Sequence, residues 1–409
     1  MKPILDQASE LQRRVLDQAA GIAREQRVQA WIVGGPVRDA LLGRRFGDLD
    51  FTLEREAEPF AAELARRLGG TVATFPSFLT ARVRLPGGEE VDVATTRAES
   101  YGRPGALPAV RPGGLEDDLR RRDVTVNAMA IDLASGSVSD PTGGRADLAA
   151  GLLRAIHRRS FIDDPTRILR VLRLGERLGF RPEPETAGWM EDAIGGKALE
   201  TVSRERRWRE LRLALDEPRA AAAVEAMARA AALDSLLGRL RGERERADLL
   251  ARAERLSRSD PSLDRELLFL HALLEPRDPI PPLEGSGLSS DRAARLVELL
   301  GAEAAAERLE AEEEEAAAAL LERASGELLA LLGERPELGP AVALASRIRQ
   351  TRLPFGADQL GVAPGPHVGL ALRDTRRALA AGALSPDLAL AFARERALEY
   401  LRSGEGARR

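Results

Sequence analysis

The chain contains no cysteine among its 409 residues, which excludes a disulfide framework and any zinc site built on thiolates. Histidine is nearly as scarce, at 3, and no His-Asp dipeptide occurs, so an appended metal phosphohydrolase domain is not expected. Aromatic residues make up only 4%, too few for a surface of stacked aromatic platforms of the single-strand-binding kind. No stretch approaches the roughly 18 consecutive apolar residues that a spanning helix needs. The opening Met1-Lys2-Pro3-Ile4-Leu5-Asp6 leads into an amphipathic pattern with acidic residues, not a signal peptide. A cytoplasmic protein without a membrane partner is the expectation. Net charge is also small, at -4, yet it decides little. Basic residues are concentrated locally at Arg120-Arg121-Arg122, from Arg154 to Arg159 and from Arg204 to Arg212, and affinity for an anionic partner depends on such patches.

What is present is apolar and helix-forming. A hydrophobic content of 44% in a chain of this length supports two to four domains. Residues 5–27 read as an amphipathic helix through Leu11, Val15, Ala19 and Ile22. A strand at Trp31-Ile32-Val33 is broken by Gly34-Gly35, and Pro36 suits the first turn of a helix that stops by Gly43. A strand at 48–53, a helix at about 57–69, strands at 71–73 and 80–85, a turn at Pro86-Gly87-Gly88 and a strand at 90–95 complete a small α/β pattern ending near residue 145. Residues 100–115, rich in Pro and Gly, are expected to form a loop. Beyond about 147 helical periodicity dominates, with candidates at 164–179, 184–194, 203–215, 218–231 and 244–256. The Ala/Glu segment within 302–324 reads as a solvent-exposed helix.

Five clusters carry chemistry. Gly34-Gly35-Pro36-Val37-Arg38-Asp39 joins a strand to a helix, where backbone can approach a phosphate and the helix N-terminus favours an anion; such turns are also common without a ligand. Asp48 and Asp50, two apart on a strand, project carboxylates to one face. They repel each other unless a cation such as Mg²⁺ lies between them and phosphate oxygens, although a solvated edge strand would show the same pattern. Asp92, flanked by Val91 and Val93, offers a third acid. In the run from Arg120 to Ala130, alternation puts Asp123, Thr125 and Asn127 on one strand face and Val124, Val126 and Ala128 on the other. From Asp163 to Arg173, Asp164, Arg167 and Arg170 lie three apart on one side of a helix. A carboxylate with a guanidinium can read a base edge; a helix cap with a surface ion pair would look the same. Ser203 to Leu211 reads as a capped helix with intrahelical salt bridges, and support for the preceding helix is a second role for it.

Jointly these clusters resemble the bacterial (class II) tRNA nucleotidyltransferase and poly(A) polymerase family of the polymerase-beta-like superfamily. The resemblance is carried by GGxVRDxLLGR at Gly34 to Arg44, DLDF at Asp48 to Phe51, RRDxTxNAMA at Arg121 to Ala130, DPTGGxxDL at Asp140 to Leu148, DDPxRxLRxxR at Asp163 to Arg173 and SxERxxxEL at Ser203 to Leu211. These cover about the first half of the chain; Leu360 to Gly369 is similar to a stretch near the C-terminus of such enzymes. Three departures are Asp163 where the family usually has Glu, Phe78-Leu79-Thr80 for its FGT-like strand, and Val124 for the usual Phe.

The resemblance implies an α+β fold: a nucleotidyltransferase head with a small mixed sheet (1–146), a helical neck (147–215), a helical body (216–345) and a helical tail (346–409). It implies Asp48, Asp50 and Asp92 as catalytic and metal-binding acids for a two-metal Mg²⁺ site. Gly34, Gly35, Arg38 and Asp39 match the phosphate-side motif. Arg122, Asp123 and Asn127 fall in the ribose-side motif, and Asp164, Arg167 and Arg170 in the segment that selects CTP or ATP. The implied reaction adds CMP and AMP to the tRNA 3′ end, with no protein partner called for. CC-only addition, A-only addition and polyadenylation share these motifs, and a non-catalytic RNA-binding protein is the rival from another class.

Overall fold

The structure, a computed structural model, describes residues 1–279 and 283–403. The chain divides into two compact units, Met1–Glu243 with Pro281–Gly287, and Arg244–Ile280 with Leu288–Arg409. The fold is α+β, and all strands described belong to the first unit.

The N-terminal pattern resolves into two helices, Lys2–Gln7 and Glu10–Gln26, because Ser9 caps the second in a reciprocal box with Gln12. Its buried face holds Val15, Ala19 and Ile22, as the periodicity requires. The strands up to residue 139 are β1 (Ala30–Val33), β2 (Leu49–Leu53), β3 (Thr71–Phe75), β4 (Thr80–Arg84), β5 (Glu90–Thr95), β6 (Arg97–Ser100), β7 (Ala109–Pro112), β8 (Ala130–Asp132) and β9 (Val138–Ser139), and a short parallel pair, Leu152–Leu153 with Arg181–Pro182, follows them. Seven of them form one mixed sheet in the order β3-β4-β5-β2-β1-β8-β9. Only the β2–β5 pair in it is parallel, with Asp50 directly opposite Asp92. The helix Ala57–Leu68 packs on this sheet, burying Phe60 and Leu64. Phe51 and Phe60 are fully buried, each contributing about 1.5–3 kcal/mol by leaving water.

Three expectations change here. Asp48 lies just before β2, not within it, and is exposed. The segment 100–115 is not a plain loop: β6 and β7 pair as an antiparallel hairpin, with Pro112 as the last ladder residue, so only 101–108 connects them. The predicted strand through Asp123, Thr125 and Asn127 is a 3₁₀ turn at Thr125–Asn127 followed by the short β8. Asp123 explains the turn. Its Oδ1 accepts from the Val124 N–H at 2.9 Å and the Asn127 amide at 3.0 Å, local bonds that compete with a sheet ladder.

Downstream of the sheet, the helix Thr166–Leu178 packs against helices Arg204–Leu215 and Ala220–Arg229. Ile168, Leu169, Val171, Leu174 and Leu178 are buried, while Arg170, Arg173 and Arg177 recur on the other side. In the second unit the Ala/Glu segment is broken into helices Ala302–Leu309 and Glu314–Leu321. The second helix packs on Gly339–Gln350 and buries Ala317, Ala318 and Leu321, so it is not simply exposed. No helix among the described residues is long and apolar enough to cross a membrane.

Candidate active site

A cavity of about 430 Å³ opens in the first unit where the sheet, the β6–β7 hairpin and the helix Thr166–Leu178 meet. Ten of the thirteen residues singled out in the sequence line it: Gly34, Gly35, Arg38, Asp50, Arg122, Asp123, Asn127, Asp164, Arg167 and Arg170. Asp39, Asp48 and Asp92 do not. Eight arginines face it against four acids, so the cavity suits a polyanion.

Gly34 has φ +76° and ψ -133°, a conformation that only glycine adopts readily. A Cβ there would stand 2.8 Å from Arg122 Nη1 and 3.8 Å from Asp50 Oδ2, so its absence leaves the space in which Arg122 approaches the acid. The following helix, Gly35–Leu41, is only seven residues long, and the cations that Asp50 feels at this corner are Arg122 first and Arg82 after it. Arg38 is buried, donating from Nε and Nη2 to Asp39 at 2.8 and 2.9 Å and from Nη1 to Asn127 Oδ1 at 2.6 Å. Asp39 therefore orients Arg38 without facing the cavity.

Asp50 is half-buried, and its carboxyl is pushed up to about 6. Burial is the main cause; Arg122 works against it, and Asp92 and Asp48 add to it. Three acids thus feel one another, although among the described residues no three acidic or imidazole side chains are gathered closely enough to hold a metal. Asp92 explains part of this: it accepts from Arg82 Nε and Nη2 at 2.7 and 2.9 Å.

On the opposite wall Asp123 is pushed down to about 2. Burial opposes that shift and is overcome by Arg170, whose Nη2 lies 3.0 Å from Oδ2, with help from the Asn127 amide, Arg167 and the Val124 N–H. Thr125, expected on the same face, instead donates to buried Asp147 at 2.7 Å. Asp164 Oδ1 accepts from the Thr166 N–H at 3.2 Å, the Thr166 hydroxyl at 2.7 Å and Arg206 at 2.8 Å; among the described residues its Oδ2 has no donor. Arg167 donates to Ser160 Oγ at 2.8 Å, Tyr101 Oη at 3.3 Å and the Arg121 carbonyl at 2.6 Å, leaving two of its five N–H groups uncommitted.

Sequence reasoning gave no role to Arg97, Glu99, Tyr101, Arg173 and Arg177, which also line the cavity; Arg206, which holds Asp164, lies in the Ser203 to Leu211 helix for which support of the preceding helix was the second role. The spacing 170, 173, 177 on one helix face was a usable signal for two of them. The hairpin residues had none, because their place depends on how β6 and β7 fold over the site.

Residues 30–154 match the poly(A) polymerase head domain. Among solved structures, a CCA-adding enzyme in an apo form superposes with a TM-score of 0.81 at 26% identity, covering 98% of both chains. This chain belongs to the tRNA nucleotidyltransferase and poly(A) polymerase family. Within it, similarity extends to an A-adding tRNA nucleotidyltransferase of Aquifex aeolicus, 45% identical over 195 residues (47% of this chain, 24% of the relative). A CC-adding tRNA nucleotidyltransferase of Deinococcus radiodurans is 40% identical over 191 residues (46% of this chain, 50% of the relative). The matched stretch thus spans a quarter to a half of the length of these curated family members.

Proposed function

We propose that this protein transfers CMP and AMP from CTP and ATP to the 3′ end of tRNA, completing a CCA terminus. The observation that carries the reading is the pairing, in one arginine-rich cavity, of Asp50 with Asp164 and Arg167. Cytosine and adenine share an exocyclic amine that donates and an adjacent ring nitrogen that accepts; uracil and guanine reverse both. A carboxylate acceptor beside a guanidinium donor therefore favours the first two bases. Arg38, Arg122 and Arg170 present guanidinium groups to the triphosphate. Asn127 has one amide hydrogen left beside Asp123 for a ribose hydroxyl. We read residues 1–146 as the catalytic head, 147–215 as the neck, 216–345 as the body and 346–409 as the tail that grips tRNA by shape and backbone.

The donor set fits a hard divalent cation: Asp48 and Asp50 offer carboxylate oxygens, and the raised Asp50 carboxyl marks negative charge that a cation relieves. Asp92 fits only on leaving Arg82. Mg²⁺ held by Asp48 and Asp50, with Asp92 beside them, would offset phosphate charge and lower the pKa of the attacking 3′-hydroxyl. Around it, the chain's own groups align the α-phosphate with the RNA end and bind the departing pyrophosphate.

Gly34→Ala tests the corner. The added methyl group meets both a forbidden backbone conformation and Arg122, so incorporation per folded molecule should fall by about tenfold or more while circular dichroism stays near wild type. The product is tested with tRNA transcripts ending before CCA, after C and after CC, given CTP and ATP separately. Extension of all three is expected. Extension only of the transcript ending in CC, with ATP, would support A-only addition, the second reading, which the likeness to the A-adding enzyme of Aquifex aeolicus favours. Extension of unrelated RNA with ATP but of no tRNA would replace both with polyadenylation.

A further inference from the structure

We infer that Asp118, which lies outside the cavity, is the positioning residue that sets both halves of the site, the guanidinium beside Asp50 and the one that reads the base. The inference rests on the nucleotide reading proposed above. Asp118 sits in the helix Leu115–Arg120 with 0% exposure. Its Oδ1 accepts from Arg121 Nε and Nη2 at 3.0 and 2.8 Å, and its Oδ2 accepts from Arg122 Nη2 at 3.1 Å. Both arginines line the cavity; Asp118 does not.

The two arginines lead in different directions. Arg122 reaches the space left open by Gly34 beside Asp50, and among the described residues its buried Nε has no acceptor, so Asp118 fixes one end of the guanidinium and leaves Nη1 toward the space beside Gly34. Arg121 is held from its other side by Glu99 at 3.0 Å, and its carbonyl accepts from Arg167 Nη2 at 2.6 Å. Fixing the Arg121 side chain therefore fixes the backbone oxygen on which the base-reading arginine rests. A buried carboxylate is costly unless paired; here both its oxygens are committed to groups that face the ligand. Leu119, next along the same helix, supplies the apolar packing against Trp31, Val33 and Ala128, so the helix has a separate anchor.

Full-length Asp118→Asn and Asp118→Glu variants test this. CTP and ATP affinities are measured by equilibrium dialysis in EDTA, alongside KM, kcat and Tm. Asp118→Asn puts an amide donor against two guanidinium groups. The metal-free affinities for CTP and ATP should both fall by about tenfold, and KM should rise more than kcat falls. In an Arg122→Ala background the same change should cost clearly less than in the wild type, because one of its two routes is gone and only that through Arg121 remains. Asp118→Glu, which keeps the charge on a longer stem, should recover part of the affinity. Wild-type affinity and KM per folded Asp118→Asn molecule would overturn the inference, as would effects that multiply fully with Arg122→Ala. If Asp118→Asn does not fold, Asp118→Glu decides alone: a KM shift of about threefold supports the role and an unchanged KM rejects it. Failure of the wild type to bind either nucleotide would reject the nucleotide reading itself, a result distinct from equal binding by wild type and variant.

Discussion

Asp50→Asn is expected to lower nucleotidyl transfer by roughly a thousandfold and, at the same time, to make the metal-free protein more stable at pH 8. The first effect follows from the metal role proposed for Asp50: the change removes a carboxylate oxygen and the negative charge that would attract the ion, worth several kcal/mol in the transition state. The second follows from the raised carboxyl. A side chain that ionises at 3.8 when free and at about 6 when folded binds its proton more readily in the folded state. Folding stability linked to that proton is present at low pH and is lost as pH rises from about 4 through about 6. Above that window the folded chain carries an ionised Asp50 at a cost on the order of 3 kcal/mol, at 1.36 kcal/mol per pKa unit. An Asn side chain carries no such cost. Thermal melts in EDTA should therefore show the variant above wild type by a few degrees at pH 8, with the gap closing toward pH 4. Added Mg²⁺ should raise the wild-type Tm at pH 8 more than the variant's. Equal melts at both pH values would mean that Arg122 already neutralises Asp50 in the folded protein.

Much of this site was legible because its motifs are local. The strand–glycine–helix unit around Gly34, the acid pair at Asp48 and Asp50, and the helix from Thr166 each declare themselves through turn residues, caps and spacing within a few positions. Strand β5 was readable from its alternation, and the parallel register then sets Asp92 opposite Asp50. What could not be read was anything decided by a partner distant in sequence. Asp92 looked free until Arg82 arrived from the neighbouring antiparallel strand. The alternation at Asp123, Thr125 and Asn127 suggested a strand, but Asp123 bonds its own neighbours and Thr125 is drawn to Asp147, so the polar residues part company. Tyr101, from a segment with no periodic signal, ends up bonded to Arg167 across 66 residues.

Asp164→Asn should compress base selection while leaving the fold intact. The Asn oxygen can keep the place of Oδ1, accepting from Thr166 and Arg206, so the Thr166 N–H and hydroxyl at the start of the helix Thr166–Leu178 keep their acceptor. Its NH₂ then takes the place of Oδ2, the oxygen that no group among the described residues uses. In the base contact proposed above, an acceptor becomes a donor at the point where cytosine and adenine would present their exocyclic amines, and two donors face each other. Incorporation of CMP and AMP should fall by about 10- to 100-fold, in line with 1–3 kcal/mol for a good base contact. UMP and GMP should gain much less, since Arg167 still points a donor at the N–H of their ring nitrogen. The measurement is kcat/KM for all four nucleoside triphosphates on one tRNA transcript. A fall of equal size for every nucleotide would mean that Asp164 serves only as an acceptor for Thr166 and an anchor for Arg206. A selective fall for CTP and ATP would assign the choice of base to this carboxylate and leave phosphate chemistry to Asp50, two tasks separated across one cavity.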